Sequence, residues 1–184
     1  MRLTIPTTRP LPLANMARPA LLIFAGTALL ALSAHVQLPF WPVKMSMQTF
    51  VVLAIAVAYG GRLACATVLA YLAQGALGLP VFVGGSGAAY LAGPTAGYLA
   101  GFAVAALVVG TLAERGWTRN PGSTLAVLML GETVIFALGV AWLSTLIGIE
   151  KALYAGLAVF LPAEALKVAL AAALTPILRR RPAP

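Results

Sequence analysis

From Gly122 to Ile147 the chain reads GSTLAVLMLGETVIFALGVAWLSTLI, with a single ionisable residue, Glu132. A helix that crosses the hydrocarbon core of a bilayer needs about 20 apolar residues, within a range of about 17–25. This run meets that requirement by itself. The rest of the 184-residue chain is nearly as apolar: 61% of its residues are hydrophobic and 9% charged. Soluble domains carry about 25% charged residues. There is too little polar surface here to cover a domain of this length in water. The chain therefore reads as a single all-α, polytopic membrane domain over residues 1–184.

Six candidate helices follow, over 19–37, 46–60, 62–78, 94–114, 122–147 and 162–178. Gly60-Gly61 separates the second from the third, and Asn120-Pro121-Gly122 marks a turn before the fifth. Pro162 suits the first turn of the sixth, where its missing N–H has no intrahelical partner to lose. Residues 148–161 read as a short surface or re-entrant helix. Six spans place both termini on one side. Arg2, Arg9, Arg18, Arg62, Arg115, Arg119, Arg179, Arg180 and Arg181 fall on that side, against Lys44 and Lys151 on the other. Basic residues accumulate on the cytoplasmic side of membrane proteins, so both termini are expected to be cytoplasmic. Trp41, Trp117 and Trp142 fall near span ends, as an interfacial aromatic belt requires. Residues 1–34, with their arginines and "ALSA", also resemble a signal peptide. Cleavage would leave five helices and spoil the arginine asymmetry, so the uncleaved reading is preferred.

The formal net charge of +8 is then a matter of topology, with anionic lipid headgroups as its partners and no nucleic acid. One cysteine, Cys65, excludes an intrachain disulfide and a cysteine-based zinc site, and one histidine, His35, gives little support to a histidine metal site. No metal or cofactor is expected. The chain has no GxxxxGK[ST], hence no Walker A nucleotide site, and "GGSG" at 84–87 is not part of a GxGxxG motif.

Ionisable groups inside a bilayer are costly and mark functional sites by default. Glu164 and Lys167, three apart in "LPAEALK", share a helix face near the outer end of the last span. Glu132 lies near mid-depth and can be protonated, paired with Lys167 or Arg62, or part of a proton path. Gln48 and Thr49 open the second span near His35, Gln37 and Lys44, where they are interfacial or line a vestibule. The uncharged loop 79–93 holds Gly84, Gly85, Ser86 and Gly87, then Tyr90; Tyr98 follows in the next helix. Glycine lets backbone N–H groups approach a ligand, and irregular backbone at membrane depth is tolerated where it lines a cavity. Small-xxx-small pairs recur at Ala54/Ala58, Ala66/Ala70, Gly97/Gly101, Ala106/Gly110 and Ala165/Ala169/Ala173, as close helix packing in lipid favours.

The block "GLPVFVGGSGAAYLAGPTAGYLAGF" (78–102) resembles the signature of the BioY family, the biotin-specific substrate-binding (S) components of energy-coupling-factor (ECF) vitamin transporters. "PVKMSMQTFVVLAIAVAYG" (42–60), "WL" at 142–143 and "LPAEALKVALAAAL" (161–174) agree with it in order and spacing. The resemblance implies a six-helix bundle with cytoplasmic termini that captures biotin near the outer face, under a lid. It implies an ECF transmembrane coupling protein and ABC ATPases as partners, in the cytoplasmic (inner) membrane. It places Gln48, Gly84, Gly85, Ser86, Gly87, Tyr90, Tyr98, Glu164 and Lys167 around biotin. It assigns partner docking to the alanine-rich first helix, at Ala25, Ala28 and Ala31. Glu164 stands where the family carries aspartate, and Ala163 where it carries glycine, so the carboxylate reaches one methylene further. Biotin is the transported ligand, with ATP hydrolysis left to the partners. The alternatives are an S component for another small vitamin, or a small intramembrane enzyme using Glu132, Glu164 and Lys167.

Overall fold

The computed structural model describes residues 13–38 and 45–178. Seven α-helices run in order: α1 (Leu13–His35), α2 (Gln48–Tyr59), α3 (Gly61–Ala76), α4 (Ala96–Glu114), α5 (Pro121–Ile147), α6 (Ile149–Leu153) and α7 (Leu161–Leu178). A turn of π-helix, Tyr154–Ala158, continues α6, so the short helix expected over 148–161 is present. α1 begins well before residue 19 and carries Pro19 inside it, on an exposed stretch. α2 begins at 48 because Met45–Ser46 pairs antiparallel with Gln37–Leu38 instead of joining the helix. Trp41, Lys44, Arg2, Arg9 and Arg179 to Arg181 lie outside the described residues.

Among the described residues, four helices are long and apolar enough to cross a membrane: α1 from Ala17, α4, α5 and α7. At about 1.5 Å per residue, the 12 residues of α2 fall well short of a hydrocarbon core of about 30 Å. Its burial explains the short length. Gln48, Thr49, Val51, Val52, Leu53, Ile55, Ala56 and Val57 are all buried, so α2 is covered on nearly every side by protein. A helix apolar all round belongs in an interior, and α2 packs against α1, α3, α4, α5 and α7.

Small residues let the outer helices close on one another. α4 and α5 form the most extensive helix pair. A Cβ at Gly101 would stand 2.8 Å from the Cα of Ile135, so only glycine allows this approach. Gly97 meets Leu138 and Gly139 in the same way, and Gly110 meets Gly60 and Gly61 at the start of α3. Ala165, Ala169 and Ala173 face outward instead, so the last small-residue series does not pack inside the bundle. Gly101→Leu is expected to push α4 off α5. Overpacking of this kind costs about 1–3 kcal/mol, enough to lower the melting temperature in detergent by about 5 °C, as differential scanning fluorimetry would read.

α1 is the least enclosed of the four long helices. Gly26, Thr27 and Leu30 turn inward, and Gln74 donates to the Thr27 hydroxyl at 3.3 Å. Ala25 and Ala28 are exposed beside Leu21, Phe24 and Leu32, while Ala31 is half-buried against the core.

Candidate functional site

The site begins with the ion pair. Three residues apart on α7, Glu164 and Lys167 are both buried, at 5% and 2% exposure. Lys167 Nζ donates to Glu164 Oε1 at 2.8 Å, to Thr49 Oγ1 at 3.2 Å and to the Ser46 carbonyl at 2.6 Å. An ammonium has three N–H donors, so all three are engaged. Thr49 donates to Glu164 Oε2 at 2.7 Å. Each carboxylate oxygen thus accepts one bond and keeps a lone pair.

From Ser46 the network continues. Its hydroxyl donates to Gln48 Oε1 at 3.3 Å, Gln48 Nε2 donates to the Tyr71 hydroxyl at 2.8 Å, and Tyr71 donates to the Val81 carbonyl at 2.9 Å. One chain of hydrogen bonds therefore runs from α7 through the start of α2 and the second half of α3 to the 79–93 loop. Gln48 retains a second N–H beyond the one given to Tyr71.

The loop is fastened, not slack. Gly87 N–H donates to the Gly75 carbonyl at 2.7 Å, Tyr90 hydroxyl to Val83 at 3.0 Å, and the Trp142 indole of α5 to Gly93 at 2.9 Å. Phe82 is buried at 2% exposure, edge-on to Tyr71 (5.4 Å between ring centroids) and stacked on Tyr90 (4.8 Å). Gly84 and Gly87 have φ of +73° and +87°, which side chains with a Cβ rarely adopt. Gly84 turns the chain so that Phe82 and Gly85 bridge, and Gly87 turns it into the 3-10 helix Ala88–Ala92.

Between loop and ion pair lies a cavity of about 360 Å3, within the range of about 300–1,000 Å3 usual for small-molecule sites. Gln48, Thr49, Ser46, Glu164 and Lys167 line its polar side, and Tyr71, Phe82, Tyr90, Tyr98, Phe136 and Phe160 contribute aromatic faces. Tyr98 is fixed by a 2.7 Å bond to the Gly156 carbonyl and by an edge-on contact with Phe136.

Five of the residues expected at a ligand, Gln48, Tyr90, Tyr98, Glu164 and Lys167, thus share one cavity. Gly84, Gly85, Ser86 and Gly87 are not among its lining residues; they shape the turn that presents Phe82 and Val83 to it. Ser86, His35 and Gln37 are exposed. Thr49 is central to the network, and Tyr71, Phe82 and Phe136 join the lining although nothing in the sequence sets them apart from core aromatics. Glu132 is buried behind the cavity wall with neither carboxylate oxygen hydrogen-bonded. That rules out a direct pair with Arg62 or Lys167. Among the described residues no cluster of three or more metal-ligating side chains occurs.

A helical membrane protein with one aromatic cavity, a fastened loop and a buried ion pair at the polar side is built to enclose a small molecule. A sequence model of the BioY family matches residues 6–183, and the chain belongs to that family. It is 37% identical over 163 residues to the biotin transporter BioY of Thermotoga maritima, covering 86% of this chain and 95% of that one. It is 33% identical over 156 residues to the probable biotin transporter BioY of Pyrococcus horikoshii, covering 84% and 92%. In fold it is similar to the crystal structure of the S-component for biotin from an ECF-type ABC transporter, with a TM-score of 0.77 over 92% of this chain and 94% of that one, at 24% identity.

Proposed function

We propose that the chain captures biotin and serves as the substrate-specific component of an ECF-type ABC transporter that takes up biotin. Family membership supports the substrate, and the donor and acceptor pattern of the cavity supports it independently. The ureido ring of biotin offers two N–H donors flanking one C=O acceptor. Glu164 has a free lone pair on each oxygen and Gln48 has a free N–H, 5% exposed each. The carboxylate meets the N–H edge and the amide meets the carbonyl. The bicycle rests on Tyr90 and Phe82, with the 84–87 turn holding the roof. Lys167 acts chiefly through Glu164, since its own donors are all engaged. The complementary pair Glu164 and Gln48, inside an aromatic cavity, is the observation that carries this reading.

In the membrane the chain forms a six-span bundle with α1 to α5 and α7 crossing, α2 and α3 supplemented by their flanking loops, and both termini cytoplasmic. The arginine distribution supports this orientation. The chain is a transport component and not an enzyme. An ECF transmembrane coupling protein binds the exposed face of α1 at Ala25 and Ala28, and ATP is hydrolysed by its ABC ATPase partners.

Uptake of labelled biotin tests the assignment. Cells expressing this chain together with an ECF energising module should accumulate biotin, and Glu164→Ala should reduce accumulation to background. Accumulation unaffected by Glu164→Ala would refute the assigned site. Accumulation by the chain alone would refute the partner assignment.

A further inference from the structure

Glu132 is the ionisable group that the ligand cavity does not use. It sits in α5, 8% exposed, and both its carboxylate oxygens are buried without a hydrogen-bond partner. The groups acting on it electrostatically are Glu164 and Lys167 of α7. Among the described residues, the other helices with extensive contacts to α5 bring no further cation to it. α2 carries only Tyr59 among titratable residues, and α4 only Tyr98 and Glu114. α6 carries Glu150 and Lys151, both exposed, followed by the exposed Tyr154.

The charge count follows from the hydrogen bonds. Lys167 is neutralised by Glu164, and all three of its N–H donors are taken by Glu164, Thr49 and Ser46. Thr49 gives its proton to Glu164. Glu164 accepts both bonds, which identifies it as the ionised member. An ionised Glu132 would therefore add an uncompensated negative charge with no donor to solvate it, inside a protein embedded in lipid. Buried charges persist only when paired and hydrogen-bonded. A single cation on Glu132 removes the conflict. As a proton it also turns one of the unpartnered Glu132 oxygens into an O–H donor.

We propose that Glu132, behind the cavity wall, and Glu164, on its polar lining, act as one cation-binding carboxyl pair, in which Glu132 takes up one proton or one monovalent metal ion in its place. The occupied pair leaves the interior neutral beside Lys167. The empty pair confronts any anionic ligand in the cavity with a net negative charge.

Infrared spectroscopy of the purified wild-type chain in sodium-free choline buffer tests this without any ligand. A protonated-carboxyl stretch is expected at neutral pH, fading as the pH rises and absent from a correctly folded Glu132→Gln variant. If sodium is the natural occupant, adding it at constant pH removes the band and raises the melting temperature. If the proton is, sodium changes neither. A spectrum with no protonated-carboxyl band at neutral pH overturns the proposal, and so does a band of equal intensity in Glu132→Gln. A second readout rests on the biotin reading. Wild-type affinity for the biotin anion should fall as the band fades, by up to tenfold per pH unit, the limit for one linked proton, while Glu132→Gln stays flat. Failure to bind biotin at any pH would count against the biotin reading alone, since the infrared band is read separately.

Discussion

Lys167→Met is expected to lower biotin affinity by about a hundredfold or more. The side chain makes three hydrogen bonds, and the substitution removes all of them at once. Glu164 is left as a buried carboxylate with only Thr49 as a donor. Breaking a buried ion pair by removing one partner costs about 3–5 kcal/mol of stability, and losing about 2.8 kcal/mol of the carboxylate's hold on biotin is about a hundredfold in affinity. Glu164 responds by taking a proton or turning away: a protonated carboxyl offers the two ureido N–H groups one neutral carbonyl acceptor in place of a carboxylate, and a carboxyl turned away offers none. The double variant Lys167→Met/Glu164→Gln separates folding from binding. It removes both charges, so its melting temperature should recover most of what Lys167→Met loses, while its affinity stays low. Calorimetry and thermal melts on the three proteins check this. Biotin affinity within tenfold of wild type in Lys167→Met would show that the pair is structural only.

Gly75→Val is the second large expected effect, and it acts from outside the cavity. A Cβ at Gly75 would fall inside the ring of Phe82, so Phe82 must leave its seat. It would lose its contacts with Tyr71 and Tyr90, worth about 0.5–1.5 kcal/mol each. Exposing the ring costs about 1.5–3 kcal/mol more. A roof weakened by about 3 kcal/mol opens about a hundredfold more often, and the change should appear mainly as faster biotin release. Gly122→Ala is the matched control. A Cβ there meets nothing within 4 Å, so release should stay at the wild-type rate. Stopped-flow displacement of bound biotin reads both.

Much of this arrangement can be read from the residues because apolar runs in lipid leave few alternatives. α4, α5 and α7 fall close to their expected bounds, since Asn120-Pro121 and Pro162 punctuate them plainly. The ends of α1 and α2 were less visible. A two-residue antiparallel pairing at 37–38 and 45–46 leaves no periodic signal, and it displaces the start of α2 to Gln48. Glu164, Lys167 and Gln48 stood out as polar groups in an apolar chain. Phe82, Phe136 and Phe160 did not, because a phenylalanine lining a cavity looks the same in sequence as one in a core. Which face of a helix meets the cavity depends on its rotation within the bundle, and that is set by contacts such as Gly101 on Ile135. The "GGSG" turn carried the strongest visual signal, yet it shapes the roof from outside. Glu132 was conspicuous, but its isolation emerges only once the three bonds of Lys167 are counted.

Titration calorimetry of biotin into the purified wild-type protein in detergent tests biotin capture most directly. One site per chain with a nanomolar-range Kd is expected, together with affinity weaker by about 10⁴-fold for an analogue that keeps the valerate chain but lacks the ureido ring, because Glu164 and Gln48 would then be left unpaired. No binding at micromolar biotin, or equal affinity for the two ligands, would contradict the assignment.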